Sequence, residues 1–151
     1  MITENVDTLR LVSDPFSGTD EELKAMFDCL EHEFKNHAIK GTGLSGIQVN
    51  LPYRVAIIRI EREYEAHGQK HKSLISHNLY NAEIIRQEQS FVFKGEGCLS
   101  VPGEFKNTKR FNLIEIKNGN GEILKFSGFD AVVVSHEIDH WNGILFIDRK
   151  V

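Results

Sequence analysis

The segment Val133-Val134-Ser135-His136-Glu137-Ile138-Asp139-His140-Trp141 sets the architecture of this chain. On a helix, His136 and His140 lie one turn apart on the same face. Two imidazoles so placed can hold one metal ion, and Glu137, beside the first, is free to handle protons. This is the H-E-x-x-H arrangement of metal-dependent hydrolases. A surface helix with two exposed histidines would carry the same letters. The apolar lead-in weighs against that, because Phe129, Val132 and Val133 share a face with His136 and turn the histidines inward. The run Val132-Val133-Val134 forms helix poorly on its own, so burial against sheet must hold it. A third ligand has to come from upstream: the tail from Trp141 to Val151 has no further His or Glu, and Asp148 follows the Gly143 break too closely.

The 151 residues are most simply one domain, 1–151, long enough to bury a proper core. Hydrophobic content of 40% and charged content of 26% fit a soluble globular protein. A net charge of −4 gives no nucleic-acid footprint. No apolar run approaches the ~20 residues of a membrane span, and the N-terminus lacks the pattern of a signal peptide. Two cysteines, Cys29 and Cys98, are too few for a disulfide framework. A reducing cytoplasm is the expected location.

Outward from the histidine helix, placed at about 129–142 and stopped by Gly143, the chain reads as α+β: antiparallel or mixed sheets around a central metal-binding helix, with one N-terminal helix. Residues 1 to 18 read as extended or looped. Thr19-Asp20-Glu21-Glu22 has the form of a capping box, and Leu23, Met26, Phe27, Leu30 and Phe34 follow at helical spacing, predicting a helix over about 20–37. Cys29 on that helix reads as structural. Residues 53 to 60, 74 to 80 and 82 to 87 read as strands, and the charged stretch 61 to 72 between the first two as a solvated loop with surface histidines His67 and His71. His77 reads as a strand or loop polar group. The segments 111–117 and 122–126 alternate around Asn118-Gly119-Asn120-Gly121 and predict a β-hairpin.

The glycine-rich stretch Gly41-Thr42-Gly43-Leu44-Ser45-Gly46-Ile47-Gln48 has three readings: a flexible connector, a phosphate loop that lacks the expected Lys-Ser/Thr, or a rigid loop whose bare backbone pairs with an extended peptide. Cys98, within Gly95-Glu96-Gly97-Cys98-Leu99-Ser100, sits where a thiolate can be presented. With His136 and His140 it makes three ligands and an open position, the pattern of a catalytic ion rather than a structural one.

Three motifs together resemble the peptide deformylases. Gly41 to Gln48 is similar to their G-x-G-L-A-A-x-Q, with Ser45 and Gly46 in place of two alanines. Glu96-Gly97-Cys98-Leu99-Ser100 matches E-G-C-L-S, and His136-Glu137-Ile138-Asp139-His140 matches H-E-x-D-H. The order matches too, as does Gly-Ile-Leu-Phe-Ile-Asp-Arg at 143–149. The chain stops without the C-terminal helix of many bacterial members and so is similar to short bacteriophage forms. That would place it in a host cytoplasm and puts docking on the ribosome in doubt.

The resemblance implies removal of the formyl group from the N-terminal formyl-methionine of nascent chains. It implies Fe²⁺ on Cys98, His136 and His140; the residues alone equally allow Zn²⁺, Ni²⁺ or Co²⁺. Glu137 is expected to carry the proton from water to the leaving amine, and the Leu99 N–H with the Gln48 amide to face the oxyanion. Gly43 and Gly97 are expected to offer backbone to the peptide. Phe129, Val132, Val133 and Leu44 are the candidates for a methionine pocket, with ordinary core packing as the competing role. Asp139 and Arg110 have two readings, an ion pair that orients the helix or two solvated charges. The competing functions are a general metallopeptidase and a metal-stabilised protein that binds formylated N-termini without turnover.

Overall fold

The computed structural model describes residues 1–37 and 41–151. Among these the order is a helical turn α1 (Val6–Leu9), helix α2 (Asp20–Asn36), strand β1 (Gly43–Ser45), a 3₁₀ turn (Gly46–Val49), strands β2 (Val55–Ala66), β3 (Gln69–Tyr80), β4 (Glu83–Cys98), β5 (Val101–Lys117) and β6 (Ile123–Ser127), helix α3 (Gly128–Trp141) and a 3₁₀ turn (Phe146–Arg149). Two three-stranded sheets result, β1-β2-β3 and β4-β5-β6. Every strand pairing within them is antiparallel, so the fold is α+β without a mixed sheet.

Strand β2 shows why α3 is central. Ala56, Ile58 and Ile60 point to one face and Val55 and Ile57 to the other, the two-residue alternation of a strand. The first set packs with Leu79, Ile114, Ile116 and Phe126 around Val133, Val134, Ile138 and Trp141, so α3 lies between the sheets. The second set packs with Leu44 and with Phe27 and Leu30 of α2. Both faces of β2 are covered, which explains its unbroken apolar run at 55–58. The three consecutive valines of α3 are all buried, and this surrounding core holds the helix against their intrinsic preference. Trp141 closes it, wholly buried, donating its indole N–H to the Val55 carbonyl at 3.0 Å.

Several expectations need correction. Residues 61–72 are not a loop: β2 and β3 run on as one long hairpin to a two-residue turn at His67 (φ 54°) and Gly68 (φ 74°). Both positive φ values fit the turn that matches strand twist. The register sets Glu63 opposite Lys72 and Glu65 opposite Lys70, with Tyr64 stacked on His71 at 5.3 Å. Charge here reflects a ribbon wet on both faces. Likewise β4 and β5 are much longer than expected and take in 88–98 and 101–110. Residues 6–9 form a helical turn capped by the Asn5 side chain. At the start of α2, the Thr19 hydroxyl accepts from the Glu22 N–H and donates to the Glu22 carboxylate, both at 3.2 Å. Cys29 is exposed rather than structural.

Candidate metal centre

Strand β4 ends at Cys98, which pairs with Val101 of β5 across a two-residue turn. Register shifts between Phe93 and Glu96 and between Glu96 and Cys98 break the ladder just before it. Such bulges bend a strand and re-aim its side chains, and here they deliver the thiol to α3. The Cys98 sulfur lies 3.5 Å from His140 Nε2. One ligand atom from each of Cys98, His136 and His140 falls within 4.8 Å of the others. A tetrahedral ion with a bond of ~2.3 Å to sulfur and ~2.05 Å to nitrogen needs an S···N edge of about 3.6 Å. The sulfur-to-nitrogen spacing fits that edge, and the soft sulfur with two imidazoles suits a late first-row divalent ion.

The tautomer of His136 is set from behind, whereas the buried His140 Nδ1 has no hydrogen-bond partner among the described residues. His136 Nδ1 lies 2.8 Å from Glu96 Oε2, which directs its N–H to the carboxylate and leaves Nε2 for an ion. Glu96 also accepts from the Thr108 hydroxyl (2.7 Å), Arg110 Nε (2.8 Å) and Arg110 Nη2 (2.5 Å). Burial alone would push its pKa up, yet the hydrogen bonds from His136 and Arg110 hold it at about 2. Arg110 continues to Asp139 at 2.7 Å, and Arg149 clamps the same Asp139 with contacts of 2.8 and 3.1 Å. The expected Arg110–Asp139 pair is thus one link in a chain that runs from the exposed Arg149 inward to His136. Burial, with His136 and Arg110 nearby, depresses His140 well below its usual pKa, which keeps it in the neutral form that coordinates.

Glu137 is buried and lines a cavity of about 540 Å³ together with Cys98 and His136. Burial pushes its carboxyl up to about 7, the range in which a group can both accept and return a proton. Its Oε2 leans over Gly43, where a Cβ would come within 2.6 Å of it. Only glycine leaves that room. Gln48 is oriented at both ends: Oε1 accepts from the Ser45 N–H at 2.9 Å, while Nε2 donates to the Ser100 hydroxyl at 3.1 Å and points at the Cys98 sulfur, 3.6 Å away.

The other expected residues divide cleanly. Gly43, Gly97, Leu99, Phe129, Val132 and Val133 all line the cavity. Leu44 does not: its side chain is fully buried in the core beneath β1, because the β1 alternation turns it away from Gly43 and Ser45. Phe93 and Phe105, which sequence reading gave no role, add apolar wall, and Phe93 lies 5.9 Å from Phe129. Glu96, Ser45 and Ser100 were equally missed as functional side chains. Glu96 stands inside a quoted motif, but only the sheet and helix packing reveals its partner.

The chain is matched over residues 1–151 by a family model described as polypeptide deformylase. It is 42% identical over 145 residues to a peptide deformylase of Helicobacter hepaticus, covering 93% of this chain and 77% of that one. With the Campylobacter jejuni peptide deformylase the identity is 37% over 153 residues, 99% of this chain and 84% of the relative. Among solved structures it is similar to a class I type b peptide deformylase from Acinetobacter baumannii bound to Met-Ala-Ser (TM-score 0.80, 28% identity, 99% and 96% of the two chains). It is also similar to a probable peptide deformylase from Synechococcus phage S-SSM7 (TM-score 0.79, 31% identity, 99% and 98%).

Proposed function

Since the chain belongs to the peptide deformylase family, metal-dependent hydrolases that remove the N-formyl group from nascent peptides, we propose the parts its own residues take in that reaction. Cys98, His136 and His140 hold a divalent ion, Fe²⁺ in the native enzyme, with Zn²⁺, Ni²⁺ or Co²⁺ able to replace it. When bound, such an ion lowers the pKa of water and polarises a carbonyl oxygen. Glu137 takes the proton from the water that attacks the formyl carbon and delivers it to the amine as the C–N bond breaks. The products are formate and a free N-terminus. Gln48 Nε2 and the Leu99 N–H donate to the oxyanion. Gly43 and Gly97 present backbone to an extended peptide, and Val132, Val133 and Phe129 take the methionine side chain.

The observation that carries this reading is the convergence of one sulfur and two imidazoles beside a buried glutamate at the edge of a cavity. The Acinetobacter relative is described as bound to Met-Ala-Ser, a peptide with a free N-terminal methionine, and we carry that ligand class over to this cavity. The site belongs where translation delivers formylated chains, which is the cytoplasm. The relatives include bacterial enzymes and a phage one.

The test is anaerobic formate release from formyl-Met-Ala-Ser by Fe²⁺-loaded protein, with Met-Ala-Ser as the control. Glu137→Gln should lose at least about 10²–10³ in kcat while keeping its metal, the scale seen when one essential polar group is removed from an active site. Cys98→Ala should lose the metal itself. Cleavage of Met-Ala-Ser at a peptide bond, or full activity in Glu137→Gln, would refute these assignments. Iron on a thiolate also predicts activity lost in air. An iron-loaded sample that stays fully active aerobically would remove the Fe²⁺ assignment.

A further inference from the structure

Ser45 stands where the resemblance leads one to expect alanine, and its hydroxyl is not idle. The residue is wholly buried at the end of β1. Its Oγ lies 2.8 Å from the Glu137 main-chain carbonyl and 3.1 Å from Glu137 Oε1. The other carboxylate oxygen, Oε2, is the one that leans over Gly43. One short strand therefore meets both carboxylate oxygens, with the single hydroxyl hydrogen of Ser45 shared between Oε1 and the nearer Glu137 carbonyl. The bare Cα of Gly43 gives Oε2 its room, and the Ser45 hydroxyl meets Oε1.

We propose that Ser45 is a positioning residue: its hydroxyl fixes the Glu137 carboxylate with Oε1 engaged, so that Oε2 is the oxygen presented to the reacting water. A glutamate side chain has several torsions to restrain, and α3 gives Glu137 no partner of its own for the carboxylate. The same residue serves Gln48 through a different atom, its backbone N–H, which donates to Gln48 Oε1. Any residue at position 45 other than proline can make that second bond, but only a hydroxyl-bearing one makes the first. Ser45→Ala thus removes the hold on Glu137 and leaves Gln48 in place. The inference rests on Glu137 being the proton carrier.

Ser45→Ala should lower kcat about 3- to 10-fold, the range expected for one hydrogen bond, with KM and Co²⁺ affinity unchanged; Tm should fall modestly, because the bond to the Glu137 carbonyl is lost as well. A purely structural role would lower Tm and leave kcat unchanged. The second arm is a double-mutant cycle with Glu137→Asp, whose shorter side chain draws the carboxylate away from Oγ. There Ser45→Ala should change kcat less than twofold. An unchanged kcat in Ser45→Ala, a loss that appears in KM or in metal affinity, or an equal loss in the Glu137→Asp background would each overturn the proposal. Full activity in Glu137→Gln would instead refute the role given to Glu137, and that result is read separately.

Discussion

Replacing Glu96 with glutamine changes one atom of the side chain and should disable the centre from behind. In the parent, two carboxylate oxygens accept four donors: Thr108 and Arg110 Nε on Oε1, Arg110 Nη2 and His136 Nδ1 on Oε2. A glutamine amide has one accepting end. With its oxygen at the Oε1 position, its NH₂ faces two N–H donors, Arg110 Nη2 and His136. Flipped, it faces Arg110 Nε. At least one buried donor is orphaned, at about 1–3 kcal/mol, and Arg110 keeps only Asp139 as a counter-charge. Breaking a buried ion pair from one side costs about 3–5 kcal/mol. Linkage gives a second, independent figure. The folded pKa of Glu96 is lowered from 4.5 to about 2, which corresponds to about 3 kcal/mol of stability at neutral pH. The folded value lies below the unfolded one, so this stability is present above about 4.5 and is lost as pH falls through about 2. Chemical denaturation of metal-stripped parent and Glu96→Gln should therefore differ by about 3 kcal/mol at pH 7, and the difference should shrink as pH falls below about 4.5. Metal affinity, measured with Co²⁺, should drop about 10- to 100-fold through loss of the His136 partner. A stability difference under about 1 kcal/mol that does not vary with pH, together with intact Co²⁺ binding, would refute this account of Glu96.

Two other outcomes follow from the same geometry. Gly43→Ala places a Cβ 2.6 Å from Glu137 Oε2, so the carboxylate must move by about 1 Å, and kcat for formate release should fall about 10²-fold with metal retained. Glu137 gives the opposite pH behaviour to Glu96. Burial raises its folded pKa from 4.5 to about 7, so its contribution is complete below about 4.5 and is lost as pH rises through about 7. Metal-stripped Glu137→Gln should therefore gain in Tm relative to the parent as pH is raised from 5 to 8, and a pH-independent difference would contradict the assigned shift.

The sequence made the histidine helix, its burial and the identity of the third ligand legible, because each is written in local spacing or in a short motif. Strand lengths were not legible in the same way. Residues 61–72 look like loop by composition, since a ribbon with solvent on both faces has no apolar alternation to display. In β4 and β5 the bulges around Glu96 and a positive φ at Gln89 interrupt the two-residue period that would mark a strand. Leu44 was misplaced for a related reason: on a three-residue strand, one step along the chain is the difference between cavity wall and core. Glu96, Ser45 and Ser100 act through partners on other elements, at separations of 40, 92 and 52 residues from His136, Glu137 and Gln48. No window along the chain spans those distances.

The chain of charges that begins at Arg149 and passes through Asp139, Arg110 and Glu96 to His136 also makes the metal ligand sensitive to the protein's surface. Arg149 is exposed, whereas Arg110 and Glu96 are buried. A change of charge at that outer guanidinium therefore reaches the imidazole through four ionic contacts, with no displacement of the backbone between them.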